Sequence, residues 1–441
     1  MWDHINLVDF DQVLFNTREA LQEAYREAFN ANGVDFILSD FIEFEGKSIN
    51  SLLEKYEISE EIKEQIKKYK KNNYKNYTKY TIPNYDILSL PNKVIVSNAH
   101  SDDIRYILTY YGVSDVIDVI GRDRVKNVKP DPDPYYTAIS LYPANNYTVY
   151  EDSDTGKISA KKAAELHNIS NKLSIVHVDL YLEEYKGGSG EKIRRQGKVI
   201  DKITKSNQSI GILKDSGIRT PEIYFSNYEK IIMSFTEGSR LCDVYDGRIH
   251  FKKLIQLIED IKKINIKNNA SLDTYINRIK EHQHFFTDDI GLMEIFELCI
   301  FQLEKNRLLL EEERSFSHGD LTLSNILVDE NELVVIDPNY QVDLYSSWLL
   351  DLAKILQSAR GYEYTFGITN KINLNELSKL RTDILKYSGA KSRVVEILEL
   401  SHWLRLLKYK KQQSEVEFLK AKKITLNIGE ELVKWPIQQS F

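Results

Sequence analysis

The chain of 441 residues has only two cysteines, Cys242 and Cys299, too few for a zinc cluster or a disulfide framework. It has 9 prolines and no apolar run approaching the ~18 residues of a membrane span. It also lacks excess positive charge. Lys+Arg total 59 against 66 Asp+Glu, a net −7, which argues against coating nucleic acid or an anionic membrane. The N-terminus, Met1-Trp-Asp-His4, shows no basic-then-apolar leader pattern, so the cytoplasm is the expected compartment. The P-loop pattern GxxxxGK[ST] is missing. What remains is a globular composition, 42% hydrophobic and 28% charged, with length for two or three domains.

The first third alternates short apolar strands with helical stretches. Strands are expected at Ile5–Phe10, Lys93–Val96, Val116–Ile120 and Tyr147–Tyr150, with helical patterning from about 17 to 80. This texture implies a parallel sheet covered by helices, whose ligands bind at the carboxyl ends of the strands. Polar residues gather at those ends: Asp9 and Asp11, Ser97 and Asn98, and Glu151-Asp152. Beyond about 170 the texture shifts to short strands around 173–185, 192–195, 198–203 and 231–235, and from about 250 to helices. The helices are interrupted by the turn-and-strand segment Ser315–Asn339. A boundary is expected near 170. The run Ile66–Tyr80 mixes lysine and tyrosine as single-strand binders do. Nothing nearby extends that basic patch, so it reads as a solvated helix face.

On an extended chain residues i and i+2 point the same way, so Asp9 and Asp11 can face one cleft while Phe10 turns to the core. Paired carboxylates can hold a hard cation or divide nucleophile and acid roles. A hydroxyl (Ser97), a lysine (Lys129) and a second acidic pair (Glu151, Asp152) at further strand ends or an adjoining loop complete a phosphate site. Hydroxyl and ammonium suit phosphoryl oxygens, and the acids suit Mg²⁺.

In order and kind these residues resemble the four motifs of the haloacid dehalogenase superfamily, over about 1–170. The stretch Glu151-Asp-Ser-Asp-Thr-Gly-Lys-Ile158 and the helical insertion containing Gly46-Lys-Ser48 are similar to its β-phosphoglucomutase-like branch. The resemblance implies an α/β Rossmannoid domain with a helical cap at about 17–85. It implies Asp9 as nucleophile forming an aspartyl-phosphate and Asp11 as the acid that then activates water. Ser97, Asn98 and Lys129 would bind phosphate, and Mg²⁺ would sit on Asp9, Asp11 through its carbonyl, and Asp152. Glu151 would ligate the metal or orient its water shell. Asn16 departs from the aspartate usual at its position.

The second constellation is Ser317-His-Gly-Asp320, Asn325 five residues on, and Asp337 after Val334-Val-Ile. Transfer of a γ-phosphoryl needs a base for the acceptor hydroxyl and oxygen ligands for Mg²⁺, and the kinase catalytic loop has this Asp-to-Asn spacing. The segment resembles the aminoglycoside phosphotransferase and choline kinase families over roughly 171–441. That implies an α+β protein-kinase-like domain with an N-lobe at about 172–236 and a C-lobe at about 237–441. By the same resemblance Asp320 is the base, and Asn325 and Asp337 hold Mg²⁺. ATP would be held by Gly188 and Gly190 in the Gly-rich turn, by Lys202 on a strand and by Met233 at the hinge. His318 would brace the loop. Asp351-Leu-Ala-Lys354 is similar to the helix after the metal loop, and Gln208 stands where a glutamate is expected.

The two resemblances together imply a bifunctional enzyme that acts on a small phosphorylated substrate and a small alcohol acceptor, with no nucleic-acid or membrane partner. An alternative is an active phosphatase, or a phosphomutase, fused to a nucleotide-binding regulatory module without transfer.

Overall fold

A computed structural model describes residues 1–43, 49–186, 192–204, 208–265, 270–339, 341–371 and 373–434. Gly46-Lys-Ser48 and the whole Gly-rich turn, with Gly188 and Gly190, lie outside the described residues. The chain forms two compact units, Met1–Ile203 and Thr204–Phe441.

The first unit is built on five parallel strands. They are β1 (Trp2–Val8), β2 (Lys93–Val96), β3 (Val116–Ile120), β4 (Ala144–Glu151) and β5 (Leu173–His177). Their order is β3-β2-β1-β4-β5, with Leu7 in register with Val94 on one side and Val149 on the other. The central strands are apolar on both faces because both are covered. Ile5, Leu7, Val94, Val96 and Val149 meet Tyr135 and Ala138 of α4 (Asp133–Leu141) and Ala160 and Ala163 of α5 (Asp154–Leu166). On the opposite face Val8, Ile95 and Val119 pack with Ala20 and Ala24 of α1 (Arg18–Asn30) and Ile104 and Ile107 of α3 (Ser101–Tyr110). A separate small core of Phe29, Phe41, Leu52, Leu53 and Ile66 joins α1 to α2 (Glu60–Asn73), which is the expected helical cap.

The strand expected over 173–185 is two elements. Leu173–His177 joins the parallel sheet through β4, which carries that sheet past the boundary expected near 170. The chain then forms an antiparallel meander, β6 (Leu182–Lys186), β7 (Lys192–Gln196) and β8 (Val199–Ile203). Arg194 ties this meander to the first unit. Its fully buried guanidinium donates to Glu19 of α1 (2.6 Å) and to the Tyr80 carbonyl (2.8 Å), and it pairs with Asp201 on β8 (Nε to Oδ2, 2.8 Å).

The second unit begins with α6 (Gln208–Asp215) and the antiparallel pair β9 (Ile223–Ser226) and β10 (Lys230–Ser234). Three strands follow in the order β11 (Ser239–Arg240), β12 (Ile326–Asp329) and β13 (Glu332–Val335). The rest is helical, with α7 (Gly247–Lys262), α8 (Leu272–Lys280), α9 (Ile290–Lys305), α10 (Trp348–Ala359), α11 (Leu374–Ser388), α12 (Ser392–Gln413) and α13 (Glu415–Lys434). α10 and α12 run through the middle of one hydrophobic core that contains Leu352, Ile355, Leu398 and Trp403. No described helix is long and apolar enough to cross a membrane.

Candidate active sites

In the first unit β1 ends at Val8, and the Asp9 amide still bonds the Tyr150 carbonyl of β4 (3.0 Å). The chain then turns sharply, with Leu14 and Phe15 bonding back to Phe10. Asp9 is thus delivered beside the last residues of β4. Lys129 Nζ donates to Asp9 Oδ1 (2.8 Å) and to Glu151 Oε1 (2.5 Å). Carboxylate oxygens of Asp9, Glu151 and Asp152 all lie within 4.8 Å of one another. Glu151 has no solvent exposure, and its oxygens also accept from Tyr135 Oη (2.8 Å) and Ser153 Oγ (3.0 Å).

Asp11 stands outside that group of three. Its Oδ1 accepts from Thr17 Oγ1 (2.5 Å), just before α1 begins. Ser97 is buried at the end of β2, and its Oγ accepts from the Ala99 amide (3.1 Å). Asn98 holds Lys129 by the backbone: its Oδ1 accepts from the Lys129 amide (3.0 Å) and its Nδ2 donates to the Lys129 carbonyl (3.3 Å). Both ends of the Asn98 side chain are used in fixing that lysine loop.

The charge balance of this site is lopsided. Burial pushes the Asp9 carboxyl well above its ordinary range, Lys129 pulls it down, and Glu151 and Asp11 push it up again. Asp11 is also raised by burial, against the Thr17 hydroxyl and the charges of Lys70 and Lys129. Burial and then Glu151 lift Asp152 to about 6. Three clustered acids, Asp9, Glu151 and Asp152, face one lysine, and all-oxygen donors this close suit a hard divalent cation, which would relieve the excess negative charge.

Sequence reasoning missed several neighbours. Thr17 and Tyr135 carried no motif signal. Gly156 did, as part of Glu151–Ile158, but its reason is steric: it lies against the Glu151 carboxylate. Ile66 and Lys70 of α2 and Tyr74 at its C-terminal cap fall at four-residue spacing and share a face. Ile66 is core, and Lys70 Nζ lies 4.6 Å from the Tyr74 ring centre and 5.6 Å from that of Tyr25. Lys70 thus belongs to the cap's inner side, where its charge acts on Asp11, and is no part of a uniformly solvated face.

In the second unit the catalytic-loop candidates are held by backbone bonds. Asn325 Nδ2 donates to the Asp320 carbonyl (2.8 Å) and to its Oδ2 (3.1 Å). The Ile336 amide bonds the Asn325 carbonyl (3.0 Å) and the Asn339 amide bonds the His318 carbonyl (2.7 Å), so Asp337, two residues past the end of β13, lies beside the loop. Asp337 takes a φ of 61°, the left-handed region that an aspartate tolerates better than most residues. His318 is fully buried. Its Nε2 bonds the Ile336 carbonyl (2.9 Å) and its Nδ1 accepts from the Asp320 amide (3.3 Å). Burial holds it unprotonated, near 4, as a brace requires.

Asp351 and Lys354, one turn apart on α10, complete this loop. Asp351 is fully buried and accepts from the His318 amide (2.7 Å) and the Gly319 amide (2.9 Å). Lys354 Nζ pairs with Asp320 Oδ1 at 3.0 Å. Burial raises the Asp320 carboxyl, but Lys354, His318 and Asn325 outweigh it and leave it below the usual carboxylate range. Lys202 lies on β8 opposite Ile193, and Met233 is buried on β10. The side chain of Gln208 lies outside the described residues.

With this geometry established, residues 7–165 match the profile of the family described as haloacid dehalogenase-like hydrolase. No curated protein sequence matches the chain. Among solved structures, β-phosphoglucomutase from Clostridium difficile is 21% identical, with 40% of this chain and 92% of that one covered and a TM-score of 0.32. Choline kinase LicA from Streptococcus pneumoniae is 15% identical over 63% of this chain and all (100%) of its own, with a TM-score of 0.43. An ADP-bound aminoglycoside phosphotransferase is 14% identical over 57% and 94%, with a TM-score of 0.38. The N-terminal region is a haloacid dehalogenase-like Rossmannoid domain, and the C-terminal part has kinase-like neighbours.

Proposed function

We propose that the chain is a bifunctional enzyme. The first unit removes phosphate from a small phosphorylated metabolite, and a kinase activity centred on Asp320 phosphorylates a hydroxyl of a small sugar, polyol or amino alcohol. The observation that carries the first activity is Lys129 bridging Asp9 and Glu151 beside Asp152. In this reading Asp9 Oδ attacks phosphorus, the ester oxygen leaves with a proton from Asp11, and Asp11 then takes a proton from the water that cleaves the aspartyl-phosphate. The raised Asp11 carboxyl suits an acid that must hold a proton before giving it up. Ser97 and Lys129 hold the phosphoryl oxygens, with Asn98 fixing the Lys129 loop. Asp9, Asp152 and the Asp11 carbonyl, with Glu151 beside them, would hold Mg²⁺, whose positive charge would polarise the phosphoryl group and favour ionised Asp9.

In the second unit the Asp320 carboxylate would accept the hydroxyl proton as oxygen attacks the γ-phosphorus and ADP leaves. Asn325 and Asp337 would hold the Mg²⁺ that accompanies ATP, with Met233 as a nucleotide contact. One bond would gain nothing from removal and replacement of its phosphate. The pairing makes sense as relocation, in which one position is stripped and another filled, as in building nucleotide-activated glycan precursors in the cytoplasm.

The test incubates small phosphate esters with Mg²⁺ and, separately, small alcohols with ATP. Asp9→Asn abolishes phosphate release and leaves ADP formation intact, and Asp320→Ala does the reverse. Phosphate release that persists in Asp9→Asn overturns the first assignment. ADP formation that persists in Asp320→Ala overturns the second.

A further inference from the structure

In the second unit a group of cations lies where α8, the turn Gln283–Phe285 and α12 meet. Arg405 of α12 has its guanidinium carbon 5.8 Å from the centre of the Tyr275 ring on α8. Lys408, one turn on, lies 5.6 Å from Phe285 and 5.8 Å from Tyr409. His282 stands edge-on to Tyr409, with ring centres 6.0 Å apart. Arg278 lies on α8 one turn after Tyr275, the ring that Arg405 covers, and after burial the largest influence on its guanidinium is Arg405.

This collection is unlike an ordinary protein surface. Among the described residues none of Arg278, Arg405 and Lys408 forms an ion pair, although such pairs are frequent elsewhere in the chain. Glu281, exposed on the turn after α8, pairs with none of them. Arg405 Nε is buried without a hydrogen-bond partner, and so is Nδ1 of His282, a residue only 5% exposed. Half-buried like charges with orphaned donors are costly unless something anionic completes them. Burial, followed by the charges of Lys408, Arg405 and Arg278, holds His282 unprotonated near 4.

The group is also linked to the catalytic loop. One turn before Arg405, His402 is buried and its Nε2 bonds the Leu350 carbonyl (3.2 Å) on α10. One turn beyond Leu350 on α10, Lys354 pairs with Asp320. The uncharged, buried His402 thus stands between two cations that both act on it, Lys354 beside the proposed base and Arg405 in the group.

We propose that Arg278, Arg405 and Lys408 form a subsite for an anionic group of the kinase acceptor, so that the acceptor is an alcohol bearing a phosphate or carboxylate. This rests on the kinase reading of Asp320. Two guanidiniums supply the fork that matches either anion. The aromatic rings of Tyr275 and Phe285 hold the cations in place without neutralising them.

The test uses the full chain carrying Asp9→Asn, so that phosphate esters persist, and follows ADP with matched acceptors: a neutral polyol, its carboxylate and its phosphate monoester. An anionic member is preferred, and which one distinguishes the two sources. Arg405→Gln raises the KM of that acceptor ~10- to 100-fold, the loss of one charge-assisted hydrogen bond. It leaves the KM for ATP and the melting temperature unchanged, and Arg405→Lys recovers part of the loss. Preference for neutral or cationic acceptors, or an unchanged KM in Arg405→Gln, overturns the proposal while the kinase reading stands. Should no acceptor yield ADP, calorimetric binding of the carboxylated polyol decides. Binding abolished by Arg278→Gln with Arg405→Gln upholds the subsite and removes the kinase reading; absence of binding removes the subsite.

Discussion

A Cβ at position 156 would stand 1.8 Å from Oε1 of Glu151, so only glycine lets α5 begin against that buried carboxylate. The consequence reaches Asp9, because the same Oε1 accepts from Lys129 and Tyr135. Gly156→Ala must displace Glu151 and with it Lys129. A shift of about 1 Å in a positioning group can cost ~100-fold in rate. Phosphate release by Gly156→Ala is expected to fall at least that far while ADP formation is unchanged. A variant with wild-type phosphate release shows that Glu151 does not position the site.

Removing the cation itself is a harsher change. Lys129→Met leaves Asp9 and Glu151 facing each other in a buried setting with no counter-charge. Breaking a buried pair from one side costs ~3–5 kcal/mol. Urea denaturation followed by circular dichroism is expected to show a loss of that order in the first unit, together with abolished phosphate release.

The same lack of positive charge sets a pH dependence. Asp152, raised from 3.8 to about 6, binds a proton more tightly when folded than when unfolded, and Asp9 and Asp11 are raised as well. The folded state therefore has its full contribution from these groups below about pH 4 and loses it as pH rises through about 6. In EDTA the melting temperature of the first unit is expected to fall over this window. Mg²⁺ binds the ionised form, so it is expected to flatten the fall, and Asp152→Asn to blunt both effects. A melting curve indifferent to Mg²⁺ at pH 7 counts against a metal at Asp9, Glu151 and Asp152.

These acids were legible in the sequence because their chemistry is fixed to strand ends, and strand ends follow from short apolar runs. Lys93–Val96 and Val116–Ile120 fold over the expected residues. The place of residues 173–177 was less legible. Leu173–His177 is half exposed as an edge strand and has no strong apolar pattern, and only its pairing with β4 assigns it to the parallel sheet. The meander was hidden for a different reason: Arg194 reads as one surface cation among many until Glu19, Tyr80 and Asp201 close around it. Asp351 was marked only by the resemblance of Asp351-Leu-Ala-Lys354, since a helical aspartate gives no sign that its partners are two amides some thirty residues earlier.

Lys70 offers a check on the cap. Its ammonium is held over Tyr74 and Tyr25 with no ion pair among the described residues, and its charge acts on Asp11. A lysine in that position is expected to contact the part of the substrate remote from the scissile bond. Lys70→Met should raise KM for the preferred phosphate ester about tenfold and leave kcat within a factor of about two, the pattern of lost ground-state binding. A fall in kcat at constant KM would instead place Lys70 in the chemistry.

Asp351 tests whether the second site is a built catalytic loop. The φ of Gly319 is 81°, and this turn presents its own amide and that of His318 to the two Asp351 oxygens. Burial pushes the Asp351 carboxyl up to about 7, against the pull of those two amides. Their short, paired geometry favours the ionised form that accepts from both. Asp351→Leu leaves two buried amides without partners at ~1–3 kcal/mol each, and frees the loop that carries Asp320. ADP formation is therefore expected to fall by more than ~100-fold, with phosphate release retained at a temperature where the variant is still folded. Asp351→Asn keeps one acceptor but turns an amide donor toward the other N–H, so its activity should lie between wild type and Asp351→Leu. Equal activity in all three proteins would show that the His318–Asp320 turn holds its shape without α10, and that Asp351 is a buried acid with no part in positioning the base.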